Sequence, residues 1–202
     1  MKSIVHSPLE GEQIERGADG AVEGNDAGAV DVVLPVHYSI DPDAVSATYV
    51  HAAVTLGAAA QDVTTGITNP DYPRNVTVKG NAGGIAGDVV ITGTNAAGDE
   101  ITETIALNGS TEVEGTKAFK TVTNINLPAK TNVSGDTVSV GVGKKFGLPH
   151  IVYNAAMLLV KLFDGSSDGG TLSVDADELE KNIFSLSGSP NGTKVLDLIY
   201  LK

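Results

Sequence analysis

The sequence predicts an all-β protein: a β-sandwich or barrel-like domain with an extended N-terminal arm and a small C-terminal β unit. Three observations carry this expectation. Short runs rich in Val, Ile and Thr alternate in polarity, the two-residue period of a half-buried strand. Turn residues separate these runs about every 8 to 12 positions, the spacing of sandwiches and barrels. The chain has no Trp and only 4% aromatic residues, so its core must be built from Val, Ile, Leu and Ala. Branched Cβ atoms fit a pleated surface, which favours strands. A chain of 202 residues can bury about 70% of its unfolded surface and needs no staple. It has no Cys, so neither disulfides nor thiolate metal sites are available.

The expected arm covers residues 1–36. Its stretch GEQIERGADGAVEGNDAGA is rich in Gly and acid and poor in large apolar residues. Alone, such a segment cannot offset its ordering entropy by burial. It packs either on its own domain or on a partner subunit. VDVVLPV, Val30 to Val36, reads as a short strand. The apolar residues Ile4, Val5, Val30, Val32 and Leu34 are the expected partner contacts of the arm.

The expected sandwich covers residues 37–148. In ATYVHAAVTL the Ala residues permit a helix, but Thr48, Tyr49, Val50, Val54 and Thr55 favour a strand. QDVTTGI, RNVTVKG, GDVVITGT, EITETIAL, FKTVTNINLP and DTVSVGVG follow as strands. Strict alternation in FKTVTNINLP places Phe119, Thr121, Thr123, Ile125 and Leu127 on one face, with Val122, Asn124 and Asn126 on the other. The last expected unit, residues 149–202, begins with HIVYNAAMLLVKLFDG, which is either a buried strand pair or a short helix. DADELEKN is the best helical turn, with acids early and Lys181 late. NIFSLSGSPNGTKVLDLIYL reads as a hairpin turning at Asn191-Gly192.

Charge narrows the function classes. The net charge is −12, from 25 acidic and 13 basic residues. Nucleic-acid binding needs a basic footprint, and only Lys144-Lys145 are adjacent cations. The same balance argues against an anionic membrane surface. No apolar run is long enough to span a bilayer. The N-terminus has no apolar signal core, so the expected site of synthesis is the cytoplasm.

Two glycine-rich stretches imitate phosphate loops. GNAGGIAG, Gly80 to Gly87, lacks the dinucleotide spacing and precedes a strand instead of a helix. It reads as a turn. GVGKKFG has Val138 where a P-loop needs its first Gly, and Lys145 where it needs Ser or Thr. It reads as a strand end with two exposed lysines. The four His residues show no i, i+4 pairing. Asp164 with Asp168, and Asp41 with Asp43, are weak calcium candidates set against a default of polar loops. No nucleophile–base motif is present, so no catalytic residue, cofactor or metal is expected and the chain does not read as an enzyme.

One longer pattern is informative. The residues NPDYPRNVTVKGNAGGIAGDVVITGTNAAGDEITETIALNG, with KAFKTVTNINLP and DTVSVGVGKKFGLPH, resemble a β-domain recurring in virion proteins of tailed bacteriophages. That pattern reads P-R-N-[VL]-x-V-x-G, G-x-V-x-[IV]-x-G-T, [IV]-T-E-T-[IL] and G-x-K-A-F-x-x-V. It covers about residues 60–150. The resemblance implies a decoration or cement protein on the capsid surface of the virion. Its partners would be the major capsid protein and other copies of itself, in a trimer by analogy. The alternative is a tail- or fibre-associated receptor-binding domain.

Overall fold

The computed structural model describes residues 33–132 and 135–202. Residues 35–202 form one compact unit, described here by itself. The unit is all-β. Its strands are β1 (Pro35–Ile40), β2 (Ser46–Thr55), β3 (Gln61–Val63), β4 (Arg74–Gly80), β5 (Asp88–Thr94), β6 (Glu100–Ala106) and β7 (Val113–Phe119). They continue with β8 (Thr121–Leu127), β9 (Thr137–Gly147), β10 (Leu158–Phe163), β11 (Ser166–Ser167), β12 (Thr171–Ser173), β13 (Ile183–Ser185) and β14 (Leu196–Leu201). Two single 3-10 turns, Ala155–Met157 and Leu179–Lys181, interrupt them. The second falls in the acidic DADELEKN segment, as expected.

The strands form three sheets. A six-stranded sheet runs β12-β13-β9-β4-β7, with β2 also on β9. A four-stranded sheet runs β3-β8-β5-β6, and another runs β1-β14-β10-β11. Every pairing is antiparallel. The six-stranded sheet contributes to both cores. Val76, Val78, Val138, Val140 and Val142 pack with Val89, Ile91, Ile101, Ile105, Ile125 and Leu127 of the β3-β8-β5-β6 sheet. Phe146 and Phe184 pack with Ile40, Leu196, Leu198 and Tyr200 of the β1-β14-β10-β11 sheet. Each core is aliphatic with a few rings, as the composition requires.

β9 connects the two cores. Its first half pairs with β2 and its last three residues with β13, while β4 runs along its other side. Arg74 pairs with Phe146 but Val76 pairs with Val142, so β9 carries two extra residues between these pairs. The Asn75 side chain fills this bulge and accepts the Lys145 N–H at 3.0 Å. GVGKKFG is the second half of β9 and ends with it at Gly147, as expected, but its lysines are not fully exposed. Its lysines are half-buried: Lys144 Nζ donates to the carbonyls of Ser187 and Gly188, and Lys145 Nζ to that of Gly115.

Arg74 occupies the core-facing position at the joint between the cores and has no exposed surface. Its Nε donates to Gly143 O at 2.9 Å, and Nη2 donates to the same carbonyl. Nη1 donates to Asp71 Oδ1 at 2.8 Å and to Asp43 O at 3.1 Å. Asp71 Oδ2 then accepts the Asp43 N–H at 2.7 Å, which closes a ring of bonds. The Phe146 ring lies 4.8 Å below the guanidinium. The charge is paired and its donors are used, the condition under which a buried ion is tolerated.

Three expectations are corrected. NIFSLSGSPNGTKVLDLIYL is not a hairpin, because β13 pairs with β12 and β9 while β14 pairs with β1 and β10. Its Asn191 turn is real, but it carries the chain from one sheet to another. Strict alternation also fails in β8. Thr92 pairs with Asn124 and Gly93 with Val122, so Thr123 is a bulge residue. Val122 and Ile125 consequently both enter the core. HIVYNAAMLLVKLFDG is one 3-10 turn followed by one strand.

The run Gly80 to Gly87 is a turn between β4 and β5, as expected from its spacing. A Cβ on Gly80 would lie 2.6 Å from Gly109 O, and one on Gly109 would meet the backbone of Gly83. Gly80 N–H donates to Gly109 O, and Gly109 N–H to Ile85 O. These glycines allow two turns to touch backbone to backbone. Ile85, between them, plugs the larger core.

Two substitution series test this description by denaturant unfolding. A Cβ at Gly141 would overlap the Ser46 carbonyl where β2 crosses β9, whereas one at Gly83 meets nothing within 4 Å. Gly141→Ala is expected to cost more than about 3 kcal/mol and Gly83→Ala less than about 0.5 kcal/mol. Arg74→Ala is expected to cost about 3–5 kcal/mol. Arg74→Lys recovers only part of this, because an ammonium cannot reproduce the planar fork.

Candidate functional site

Of the arm residues expected to contact a partner, Ile4, Val5, Val30 and Val32 lie outside the described residues. Leu34 is described and is 50% exposed, as is Val33 at 48%. They immediately precede β1 in the sequence. Val45, Tyr153 and Leu159 are the other large apolar side chains that are exposed among the described residues.

The sheet edges differ in how they are guarded. β11, β3 and β12 have two or three residues each. β7 is bulged against β4 around Gly115–Lys117. Its Thr116 N–H is taken by Glu103 Oε1 of β6 at 2.6 Å, and the Thr116 hydroxyl by the same oxygen at 2.7 Å. β6 carries Glu100 and Glu103. β1 has none of these devices. Among the described residues it pairs only with β14, through six residues in unbroken register. After Pro35 it holds no proline, and its one titratable group besides Tyr38 is His37, which contacts Asp197 at 3.0 Å. A regular edge without a bulge, a lysine or an interior proline is a template for a further strand.

The two acidic loops weighed as calcium sites have other work. Asp168 is buried, and its carboxylate accepts N–H bonds from Gly170 (2.6 Å), Ser187 (3.0 Å) and Gly188 (3.0 Å). It ties the loop after β11 to the segment after β13. Asp43 accepts the Tyr49 hydroxyl at 2.8 Å, and Asp41 accepts that of Tyr72. Burial first, and then the Asp43 hydrogen bond, push the Tyr49 hydroxyl up to about 12. Among the described residues, no group of three or more His, Asp or Glu side chains is arranged to hold a metal ion.

One concavity is an open depression of about 430 Å³. Asn95, Asp99, Glu100 and Ile101 form one wall, with Pro149, His150 and Ile151 beside them. Asp177 to Glu180 complete it. Glu180 is buried, and Lys117 Nζ donates to its Oε1 at 3.1 Å. Lys117 also pairs with Glu178 at 3.0 Å. Burial acts to lower the Lys117 pKa, but hydrogen bonds to Glu178 and Glu180 outweigh it and hold it above the ordinary range. On the opposite side, His150 Nδ1 lies 2.9 Å from the Tyr200 hydroxyl. Burial, then the charge of Lys202, lowers the His150 pKa, while burial raises the Tyr200 hydroxyl to about 12. A neutral imidazole accepting from a neutral phenol fits both shifts.

Sequence reading did not find Asn95, Lys117 or Glu180. Glu180 is 63 and 85 positions away from its two partners, and no local spacing announces such a group. No protein-family model, curated protein or solved structure matches the chain.

Calcium titration and substitution at the Asp164 loop test the structural assignment of Asp168. Asp168→Ala is expected to lower stability by about 2 kcal/mol or more, since three backbone N–H groups lose the buried carboxylate that accepts from them. Asp164→Asn, at a left-handed φ of 55° that Asn tolerates, should stay within about 0.5 kcal/mol. Added calcium is expected to leave the melting temperature unchanged.

Proposed function

We propose that the chain is a structural virion protein of a tailed phage, which binds the outside of the capsid and stabilises it by bridging coat subunits. The observation that carries this reading is the edge of β1 that pairs with no other strand among the described residues. An edge of this kind gains main-chain hydrogen bonds from an added strand without needing a pocket. The resemblance of residues 60–150 to virion β-domains supports it. Exposed Val33 and Leu34 extend the same apolar sequence N-terminally. On a lattice, many weak contacts add through avidity. The partners are the major capsid protein and further copies of this chain, with a trimer as the analogy-based assembly.

Co-sedimentation with capsids that lack the protein tests the proposal. The full chain is expected to bind and to raise the temperature at which the capsids rupture. His37→Lys places a fixed positive charge on the β1 edge beside Asp197 and is expected to weaken binding about tenfold or more. Removal of residues 1–29 is expected to weaken it too. Undiminished binding by the truncated chain overturns the role of the arm. Failure of the full chain to bind capsids, with binding to host cells instead, favours the tail or fibre reading.

A further inference from the structure

We propose that Lys117 and Asn95 are set to join through an amide bond, with Glu180 carrying the protons, so that the chain cross-links itself beside the acidic depression that Asn95 and Glu180 line. The inference stands on three side chains and does not depend on the proposed function.

The three groups supply complementary chemistry. Asn95 follows β5 and is 3% exposed. Its Oδ1 accepts three backbone N–H bonds, from Ala97 (2.9 Å), Gly98 (3.1 Å) and Asp99 (3.0 Å). Those donors hold the oxygen on which negative charge would develop if the amide carbon were attacked. The amide Nδ2 donates to Glu180 Oε2 at 3.4 Å and to Asp99 Oδ2 at 3.3 Å. The other Glu180 oxygen holds Lys117 Nζ at 3.1 Å. One carboxylate, 7% exposed, therefore touches both the amine that would attack and the nitrogen that would leave. A positioned acid–base group within hydrogen-bond reach of both is what acyl transfer from an amide requires.

The step balances without an external reagent. Glu180 takes a proton from the Lys117 ammonium, and the neutral Nζ attacks Asn95 Cγ. The Oδ1 oxyanion rests on the three N–H groups. Glu180 returns a proton to Nδ2 and removes one from Nζ as the Cγ–Nδ2 bond breaks. One C–N bond forms and one breaks. Ammonia leaves through the open side of the depression, carrying away the proton that Lys117 brought. The product ties β7 of the six-stranded sheet to the β5–β6 turn of the opposing sheet, across the larger core. Lys117 is held mainly as the ammonium by Glu178 and Glu180, so the reaction is slow and single-turnover.

Intact-mass measurement of the full chain, fresh and after prolonged incubation, is the test, followed by peptide mapping. The expected result is a loss of one ammonia and a branched peptide joining Lys117 to Asn95. Glu180→Gln, checked for native circular dichroism, is expected to keep the full mass, and Lys117→Arg likewise. The proposal is overturned if the wild-type chain retains its full sequence mass. It is equally overturned if the lost ammonia maps to a cyclised asparagine and not to Lys117. The wild-type map decides the question even if either variant fails to fold.

Discussion

A single buried guanidinium holds the architecture together. Arg74 lies where the core-facing side of β4 and β9 passes from one hydrophobic cluster to the other. An aliphatic side chain there would merge the two clusters but would leave the Gly143 carbonyl and Asp71 Oδ1 without the donors that Arg74 supplies. Buried polar groups without partners cost more than most single contacts contribute. Arg74 satisfies both, fixes the 41–45 connection through Asp43, and stacks on Phe146. The bulge in β9 has the same origin. Gly143 must present its carbonyl to the guanidinium, and a side chain at that position would collide with Asn75.

The remaining strands are arranged around that joint. β9 can serve two cores because β2 covers only its first half and leaves the second half to β13. The ten-residue β2 and the three-residue β13 thus share the side of β9 opposite β4. The polar bonds gather at the seams between sheets: Asp168 between the loops after β11 and β13, Glu103 between β6 and β7, and Glu180 between β7 and the β5–β6 turn. Each seam uses a carboxylate, in keeping with a chain richer in acids than in bases.

Much of the fold was legible in the sequence, and its failures have physical causes. β4 is buried on both faces from Arg74 to Val78, whereas β5 and β6 follow their alternation closely, because each buries the apolar side of a regular ladder. β8 does not, because a bulge at Thr123 shifts the pattern by one and period-two reading has no means of detecting it. The expected C-terminal hairpin failed for a different reason. Asn191 and Gly192 do form a tight turn, with Gly192 N–H bonded to Pro42 O, but tertiary pairing decides where the chain goes next. The Lys117–Glu180–Asn95 group was not legible at all, since three unremarkable polar residues acquire their meaning only from long-range proximity. Of the arm contacts, only Leu34 falls among the residues described.

The pairing of β1 with β14 has a consequence for how the protein is made. The first strand of the compact unit finds its only described neighbour in the last six-residue strand, with Pro35 opposite Leu201. During synthesis β1 emerges early and waits until nearly the whole unit has left the ribosome. Closure of so distant a pair is slow, because the loop entropy must be lost before any ladder bond repays it. Throughout that interval β1 stands open on both edges. The nascent chain is therefore most vulnerable to wrong association at the same strand by which the finished protein would recruit its neighbours.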